Sequence, residues 1–300
     1  MRPIQFISKV VDFIGPRLPL RLKLARKHRW CHGELRFFIF PRTYSELINQ
    51  TKLQRNQSEL ALPADKFAVR SWVADRVGDQ YLIPLYAVID GPDELDFEAL
   101  PSAFVMKGAH GCKMNFIVRD KSLVSAEQLR ERIREWQALD YSEFAQEMHY
   151  QRIARRVVFD ELLVDDGGLP PAEYKLWVFH QRTAIVQPIN RADGNRRAHV
   201  NPEWRELAIR QEPPPGPPMP RPDNLEEMMA VAEKLAAGFK FVRVDLYACR
   251  GRIYFGEMTH TPGAGQALFD PPDFDRALGN LWRNGTAIPE KYYGPTPEGK

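Results

Sequence analysis

Two acidic residues, Asp245 and Glu257, flank an Arg250-Gly251 pair in the stretch FKFVRVDLYACRGRIYFGEMTHTPGAG, residues 239–265. The segments on either side of the pair are rich in Val, Ile, Tyr and Phe, as strands prefer. A hairpin turning near Gly251 sets Asp245 opposite Glu257, with Cβ atoms roughly 5 Å apart. Strand alternation then places Thr259 on the face of Glu257, and Arg243 and Tyr247 on the face of Asp245. Two facing carboxylates repel unless a proton or cation lies between them. One reading is therefore an oxygen-ligand Mg²⁺ site made by Asp245, Glu257 and Thr259. The other is a surface hairpin whose acids are solvated or paired with Arg243 and Arg252.

Further chemistry-bearing residues come earlier in the chain. Lys107 ends an apolar stretch, just before Gly108-Ala109-His110-Gly111. Backbone amides of a glycine loop can cradle phosphate oxygens beside a point charge, although the same pattern fits an ordinary hairpin loop. Glu161 lies in VVFDELLVDD, and Lys175 sits inside the apolar run Tyr174–Phe179, either snorkelling to an edge or facing a site that needs positive charge. Arg191, Arg196 and Arg197 would suit an anionic substrate or a solvated loop. The chain has no GxxxxGK[ST] and no GxGxxG, and the histidines from His110 onward show no ligand spacing.

These residues need elements to hold them. Residues 41–54 read as an entry turn and short helix. Residues 65–78 read as a helix with Asp65 as cap, an apolar stripe through Phe67, Val69, Trp72, Val73 and Val77, and Gly78 as its end. Residues 81–90 form a strand that Pro84 confines to an edge. Residues 103–120 read as strand, glycine loop and strand, followed by a helix whose capping box is Ser125 with Gln128. A strand over 155–168, a hairpin over 173–190 turning near Gln181-Arg182, a helix over 223–238 with an Asp/Asn cap and a last helix over 271–282 complete the order. Seven prolines between Pro213 and Pro222 make a stiff connector. Strands and helices mixed in this way give an α+β protein.

Composition sets the outer limits. The 300 residues are 44% hydrophobic and 27% charged, as in ordinary globular proteins. A net charge of +3 gives no case for nucleic acid. Cys31, Cys112 and Cys249 follow no metal spacing and read as reduced thiols of a cytoplasmic protein. No apolar run reaches the length of a membrane span, and no secretory leader pattern is present. Residues 1–45 nevertheless hold ten Lys/Arg against Asp12 and Glu34. Their stretch RLPLRLKLARKHRW fits either an anionic membrane surface or a helix docked on the body with a solvated basic face.

The order strand-Lys-Gly loop, strand-Glu, strand-Lys and acidic hairpin resembles the ATP-grasp layout. PRTYSELINQTKL, DKFAVRSWVADRVGDQYLIPLYAV, FVMKGAHGCKMNFIVRD, DELLVDD, EYKLWVF and the stretch from Asp223 to Gly265 resemble the TupA-like ATP-grasp family over about residues 36–285. That family takes its name from teichuronopeptide synthesis and is associated with bacterial surface-polysaccharide genes. The resemblance implies two α+β lobes clasping ATP, preceded by a basic, mainly helical segment. The implied divisions are 1–60 for that segment, 61–102 for an N-terminal α/β lobe, 103–170 for a lid subdomain and 171–300 for the subdomain with the metal site.

The resemblance also implies roles. Lys107 and Lys175 would contact phosphates, and the loop with Gly108, His110 and Gly111 would close over the γ-phosphate. Glu161 and the backbone of Leu162 and Leu163 would meet adenine, and Asp165 or Asp166 the ribose. Asp245 and Glu257 would hold Mg²⁺, with Thr259 standing where related folds usually have Asn, so the number of metal ions stays open. Glu173-Tyr174-Lys175 stands where the family commonly has Asp-Tyr-Lys. Arg191 and Arg243 would hold a substrate carboxylate or acylphosphate. The implied reaction joins a carboxylate to an amine with ATP, the carboxylate belonging to a uronic or amino acid of a surface glycan. The implied setting is cytoplasmic, with residues 1–35 touching the inner membrane face. A kinase on the same scaffold, a non-catalytic scaffold and a glycosyltransferase are the rivals. The last would need a nucleotide-sugar site, typically with an Asp-x-Asp motif, and none is read in the chain.

Overall fold

A computed structural model describes residues 18–54, 57–191, 196–211 and 219–294, without the side chain of Arg196. The first part of the basic segment, Asp193–Asn195 and most of the proline connector lie outside the described residues. Among the described ones, helix α1 (Leu20–His32) buries Leu24, Ala25 and His28. It is tied to the body by Lys23 to Glu143 at 3.2 Å and by His32 Nε2 to the Gly265 carbonyl at 3.0 Å. This matches the docked alternative, with Arg21, Arg26 and Arg29 left in solvent.

Helix α2 (Tyr44–Lys52) starts where Thr43 accepts the Glu46 amide at 3.2 Å, and it is buried along almost its whole length. Helix α3 (Ser58–Ala64), with Pro63 inside it, was not anticipated. Asp65 accepts the Phe67 and Ala68 amides ahead of α4 (Val69–Val77), which ends at Gly78 with φ +103°. Helices α5 (Ala126–Ala138) and α6 (Tyr141–Ala145) follow the first strands, and the Ser125/Gln128 capping box is present in full. Helix α7 (Leu225–Leu235) follows Asn224, which makes no side-chain cap bond, so the expected Asp/Asn cap is not formed. Helix α8 (Phe274–Asn284) closes the order.

The strands form two antiparallel sheets. The first contains β1 (Leu85–Ile89), β2 (Phe104–Gly108), β3 (Asn115–Val118) and β4 (Val157–Asp160), in the order β1-β4-β2-β3. The strand after Pro84 is therefore an edge, and it pairs with β4, so segments 61–102 and 103–170 share one sheet. Helix α5 covers this sheet with Leu129, Ile133 and Trp136 against Phe104, Met106 and Phe159.

The second sheet contains β5 (Ala172–Phe179), β6 (Arg182–Asn190), β7 (Arg196–Arg197), β8 (Phe241–Cys249) and β9 (Arg252–Thr259), in the order β7-β6-β5-β8-β9. The β5–β6 turn falls on His180-Gln181, both at positive φ, one residue earlier than expected. Alternation divides the faces of this sheet. Tyr174, Leu176, Val178, Val242 and Val244 pack against α7. Trp177, Phe179 and Phe241 pack against α2 and α8 at one end of the other face. Glu173, Lys175, Asp245 and Glu257 occupy the rest of that face.

Burial is the leading cause that lowers five histidines from 6.5: His28, His149 and His199 to about 4, His260 to about 3, and His110 in the same direction. A base whose folded value is depressed binds fewer protons folded than unfolded. Its stabilising contribution is full above pH 6.5 and is lost as pH falls through the folded value. The urea midpoint should therefore decrease steadily between about pH 6.5 and 4. A flat profile across that interval would mean that the histidines titrate normally.

Candidate functional site

The Arg250-Gly251 turn has φ of +50° and +70°, a hairpin geometry that glycine accommodates. It brings Asp245 opposite Glu257 and Arg243 opposite Thr259, as their spacing predicts. A bulge at Gly256 keeps this register, because Leu246 pairs with Phe255 rather than with Gly256. A Cβ on Gly256 would stand 2.9 Å from the Asp245 carbonyl oxygen, so the close crossing of the two strands needs a glycine here.

Arg191, Glu173, Lys175 and Arg243, within and between neighbouring strands, complete a chain of alternating charge. Arg191 pairs with Glu173, and Glu173 accepts from Lys175 at 2.8 Å. Lys175 stands directly opposite Asp245 and bonds its Oδ2. Arg243 donates to Asp245 at 2.6 and 2.7 Å, to Glu257 at 2.8 Å and to Thr259 Oγ1 at 3.1 Å. Asp245 is fully buried. Burial alone would raise its carboxyl, but Arg243 and Lys175 hold it below the ordinary range. Burial would likewise lower Arg243, and Asp245 and Glu257 keep it above its usual value. Arg252, the other partner considered for the acids, instead bonds the Gln80 carbonyl.

Three cations and three carboxylates leave this ladder neutral. Asp245, Glu257 and Thr259 offer hard oxygens of the kind Mg²⁺ takes. However, both Asp245 oxygens are already bonded, and no trio of His, Cys, Asp or Glu converges among the described residues. For these three to hold a divalent cation, Lys175 and Arg243 would first have to leave Asp245.

A cavity of about 420 Å³ lies between the two sheets, lined by Lys107, Glu161, Leu162, Leu163, Arg191 and Tyr247 among others. The first five were singled out in sequence, far apart along the chain, and the fold gathers them. Lys107 pairs with Asp160 at 2.8 Å. Glu161 donates its amide to the Pro84 carbonyl at 2.9 Å, where irregular chain leaves β4 towards the second sheet.

Other expected residues lie elsewhere. His110 is buried, with Nε2 on the Trp136 carbonyl at 2.9 Å, and it does not line the cavity. Asp166 is in solvent, 3.6 Å from Arg250, and Asp165 accepts the amides of Gly167 and Leu169 in its own turn. The Gly108 and Gly111 carbonyls are held from beneath by Lys66, whose Nζ is 2.9 Å from the Gly108 oxygen. Burial lowers the Lys66 ammonium. Sequence reading missed Lys66, Asp160, Asn115 and Arg119; only Asp160, in the strand just before Glu161, carried a local signal. It also missed an Asp-x-Asp, Asp273-Phe274-Asp275. Asp275 accepts the Ser45 amide and hydroxyl at 2.9 and 3.0 Å, while Asp273 pairs with Lys291 on the surface. The two acids cap and tether helices and do not converge on a site.

Removing one partner of a buried ion pair strands the other's charge and costs about 3–5 kcal/mol. Asp245→Ala should therefore lower unfolding free energy by about that amount. Glu257, 43% exposed in its side chain, should lose only about 1 kcal/mol as Glu257→Gln. Urea denaturation of both variants measures the difference, and equal losses would contradict the burial gradient along the ladder.

A model of the TupA-like ATP-grasp family matches residues 46–283. No curated protein matches the chain. Among solved structures, D-alanine–D-alanine ligase from Bacillus anthracis complexed with ATP is similar at 15% identity and TM-score 0.40, covering 67% of this chain and 55% of that one. N5-carboxyaminoimidazole ribonucleotide synthetase from Thermus thermophilus is similar at 13% identity and TM-score 0.39, covering 67% and 46%. The ATP-grasp ligase PsnB complexed with a minimal precursor gives 14% identity and TM-score 0.40, covering 76% and 61%. The chain thus spans about half the length of the first two. With the family match running from α2 to α8 through both sheets and every residue of the ladder, the chain belongs to the TupA-like ATP-grasp family.

Proposed function

We propose that the protein is a Mg²⁺- and ATP-dependent carboxylate–amine ligase working through an acylphosphate. The observation that carries this reading is the 420 Å³ cavity that joins Lys107, Glu161, Leu162, Leu163 and Arg191 beside the charged ladder. On this reading adenine lies against Leu162 and Leu163, and the phosphates draw Lys107 from Asp160 and Lys175 from Asp245. Asp245, Glu257 and Thr259 then face a divalent cation, which when bound neutralises phosphate charge as a Lewis acid. A substrate carboxylate oxygen bonds the γ-phosphorus as the bond from phosphorus to the β,γ-bridging oxygen breaks, releasing ADP. An amine nitrogen then takes the acyl carbon, phosphate leaves and the amine proton passes to water. Lys107 in the cavity, with Lys175 and Arg243 in the adjoining ladder, holds charge in place through both displacements. The polysaccharide setting, with a uronic or amino acid as carboxylate, is supported by the family resemblance alone.

Contact of the basic segment with a membrane surface is a second element of the proposal. Trp30 is 86% exposed beside the solvent-facing Arg26 and Arg29 of α1, and Phe40 is 85% and Ile39 64% exposed beside Arg36 and Arg42. Aromatic and basic side chains together suit an anionic lipid interface. No helix among the described residues is long and apolar enough to cross a membrane.

ADP formation should require a carboxylate, and phosphate release an amine. Glu257→Gln and Lys107→Met should each lower the rate about 100-fold or more while the fold is retained. Phosphate transfer to a hydroxyl with no amine requirement would replace the ligase with a kinase, and stabilisation by UDP-sugars alone would favour a glycosyltransferase. Vesicles containing phosphatidylglycerol should sediment the protein, phosphatidylcholine vesicles should not, and Arg26→Glu with Arg29→Glu should abolish the difference.

A further inference from the structure

On the same sheet face, on the side of Arg243 towards the aromatic cluster, lies a second cavity of about 370 Å³ lined by Tyr44, Trp177, Gln187, Arg197, Gln211 and Arg243 among others. Three of its lining residues carry a buried hydrogen-bonding atom with no partner: Tyr44 Oη, Trp177 Nε1 and Arg197 Nε. Tyr44 is 1% exposed and Trp177 3%. Leaving one such group unpaired is costly, and three around one cavity mark a place that a ligand completes.

The lining also specifies the ligand's chemistry. Trp177 Nε1 and the two guanidinium groups can only donate, and the Tyr44 hydroxyl can donate as well. Arg243 makes its bonds to the ladder through Nε and Nη2. No carboxylate pairs with Arg197 among the described residues. His199, held neutral by burial with a value of about 4, contacts Gln187 at 2.7 Å and bonds Gln211, which orders both amides. Behind the loop Pro262–Gly265, buried Lys52 donates to the Ala264 carbonyl at 2.9 Å and to Ala145 at 3.0 Å, which fixes the far wall. At about 30 Å³ per water in the liquid, the space suits a single amino acid or sugar.

We propose that this cavity seats the carboxylate-bearing substrate, its carboxylate between Arg197 and Arg243. It receives Trp177 N–H and Tyr44 O–H bonds there and reaches the nucleotide across Arg243. The assignment rests on the ligase reading and adds where the acceptor lies and what chemistry selects it. Arg197, Tyr44 and Trp177 become specificity residues, distinct from those that hold the nucleotide. An amide or ester of the same acid would lose the charge that Arg197 faces.

Calorimetry and thermal shift with MgADP present, using acetate, alanine and glucuronate as probes and acetamide and glucose as neutral controls, test this. At least one carboxylate should bind wild type and the neutral controls should not. Arg197→Gln should weaken carboxylate binding about tenfold or more and leave MgADP affinity within about twofold. Tyr44→Phe removes a hydroxyl with no partner in the free protein. It should leave the melting temperature unchanged or higher and reduce the carboxylate response, which keeps the test valid if Arg197→Gln folds poorly. Silence of all three carboxylates with an intact MgADP response would overturn this assignment alone, as would a carboxylate response that survives both substitutions. A wild type that does not respond to MgADP would overturn the ligase reading, and this assignment with it.

Discussion

From Arg191, just after β6, to Glu257 on β9, six charged side chains alternate in sign across β5, β8 and β9, and the surrounding structure is arranged to keep them there. Burying such groups is unfavourable unless each finds an opposite partner. Register supplies the partners: Lys175 stands opposite Asp245, and Arg243, opposite Thr259, bonds both Asp245 and Glu257, the two acids that face each other. A shift of one residue in either pairing would turn these charges into the packing against α7. The bulge at Gly256 and the tight turn at Arg250-Gly251 are therefore part of the charge arrangement as much as of the backbone.

The same neutrality shapes the proposed chemistry. In the ladder Asp245 is held ionised by Arg243 and Lys175, which occupy both of its oxygens. Phosphate oxygens would relieve those two cations of their acids, and the freed carboxylates could then turn to a divalent ion. Binding of anion and metal becomes coupled. Arg243 stands at the junction, with the ladder on one side and the cavity of unpaired donors on the other, so under the proposed assignment both substrates would meet around one guanidinium.

Much of this was legible in the sequence, for local reasons. The hairpin followed from its turn and strand alternation to within one residue, the bulge at Gly256 supplying the last step that sets Asp245 opposite Glu257, and the capping box followed from two residues three apart. Lys107, Glu161, Leu162, Leu163 and Arg191 were recognised as candidates, although only the sheet order could show that they share a cavity. What was not legible depends on contacts between distant segments. Lys66 looks like a helix-entry lysine until the fold carries the glycine loop onto it. His110 looks like a loop ligand until α5 offers the Trp136 carbonyl. Asp166 sits one residue beyond the turn that Asp165 organises, so it faces solvent. Tyr44 and Trp177 read as core aromatics, and they are; their unpaired polar ends appear only once α2 lies across β5.

Coupling between anion and cation is the claim most exposed to experiment. Calorimetric titration of the wild-type protein with Mg²⁺ alone, with ADP alone, and with ADP at saturating Mg²⁺ measures it. The account predicts no saturable heat for Mg²⁺ alone, weak binding of ADP alone, and ADP affinity at least about tenfold higher with Mg²⁺, a coupling of about 1.4 kcal/mol or more. Tight Mg²⁺ binding to the free protein, or ADP affinity that ignores the metal, would contradict a self-neutralised ladder that opens to metal only with phosphate.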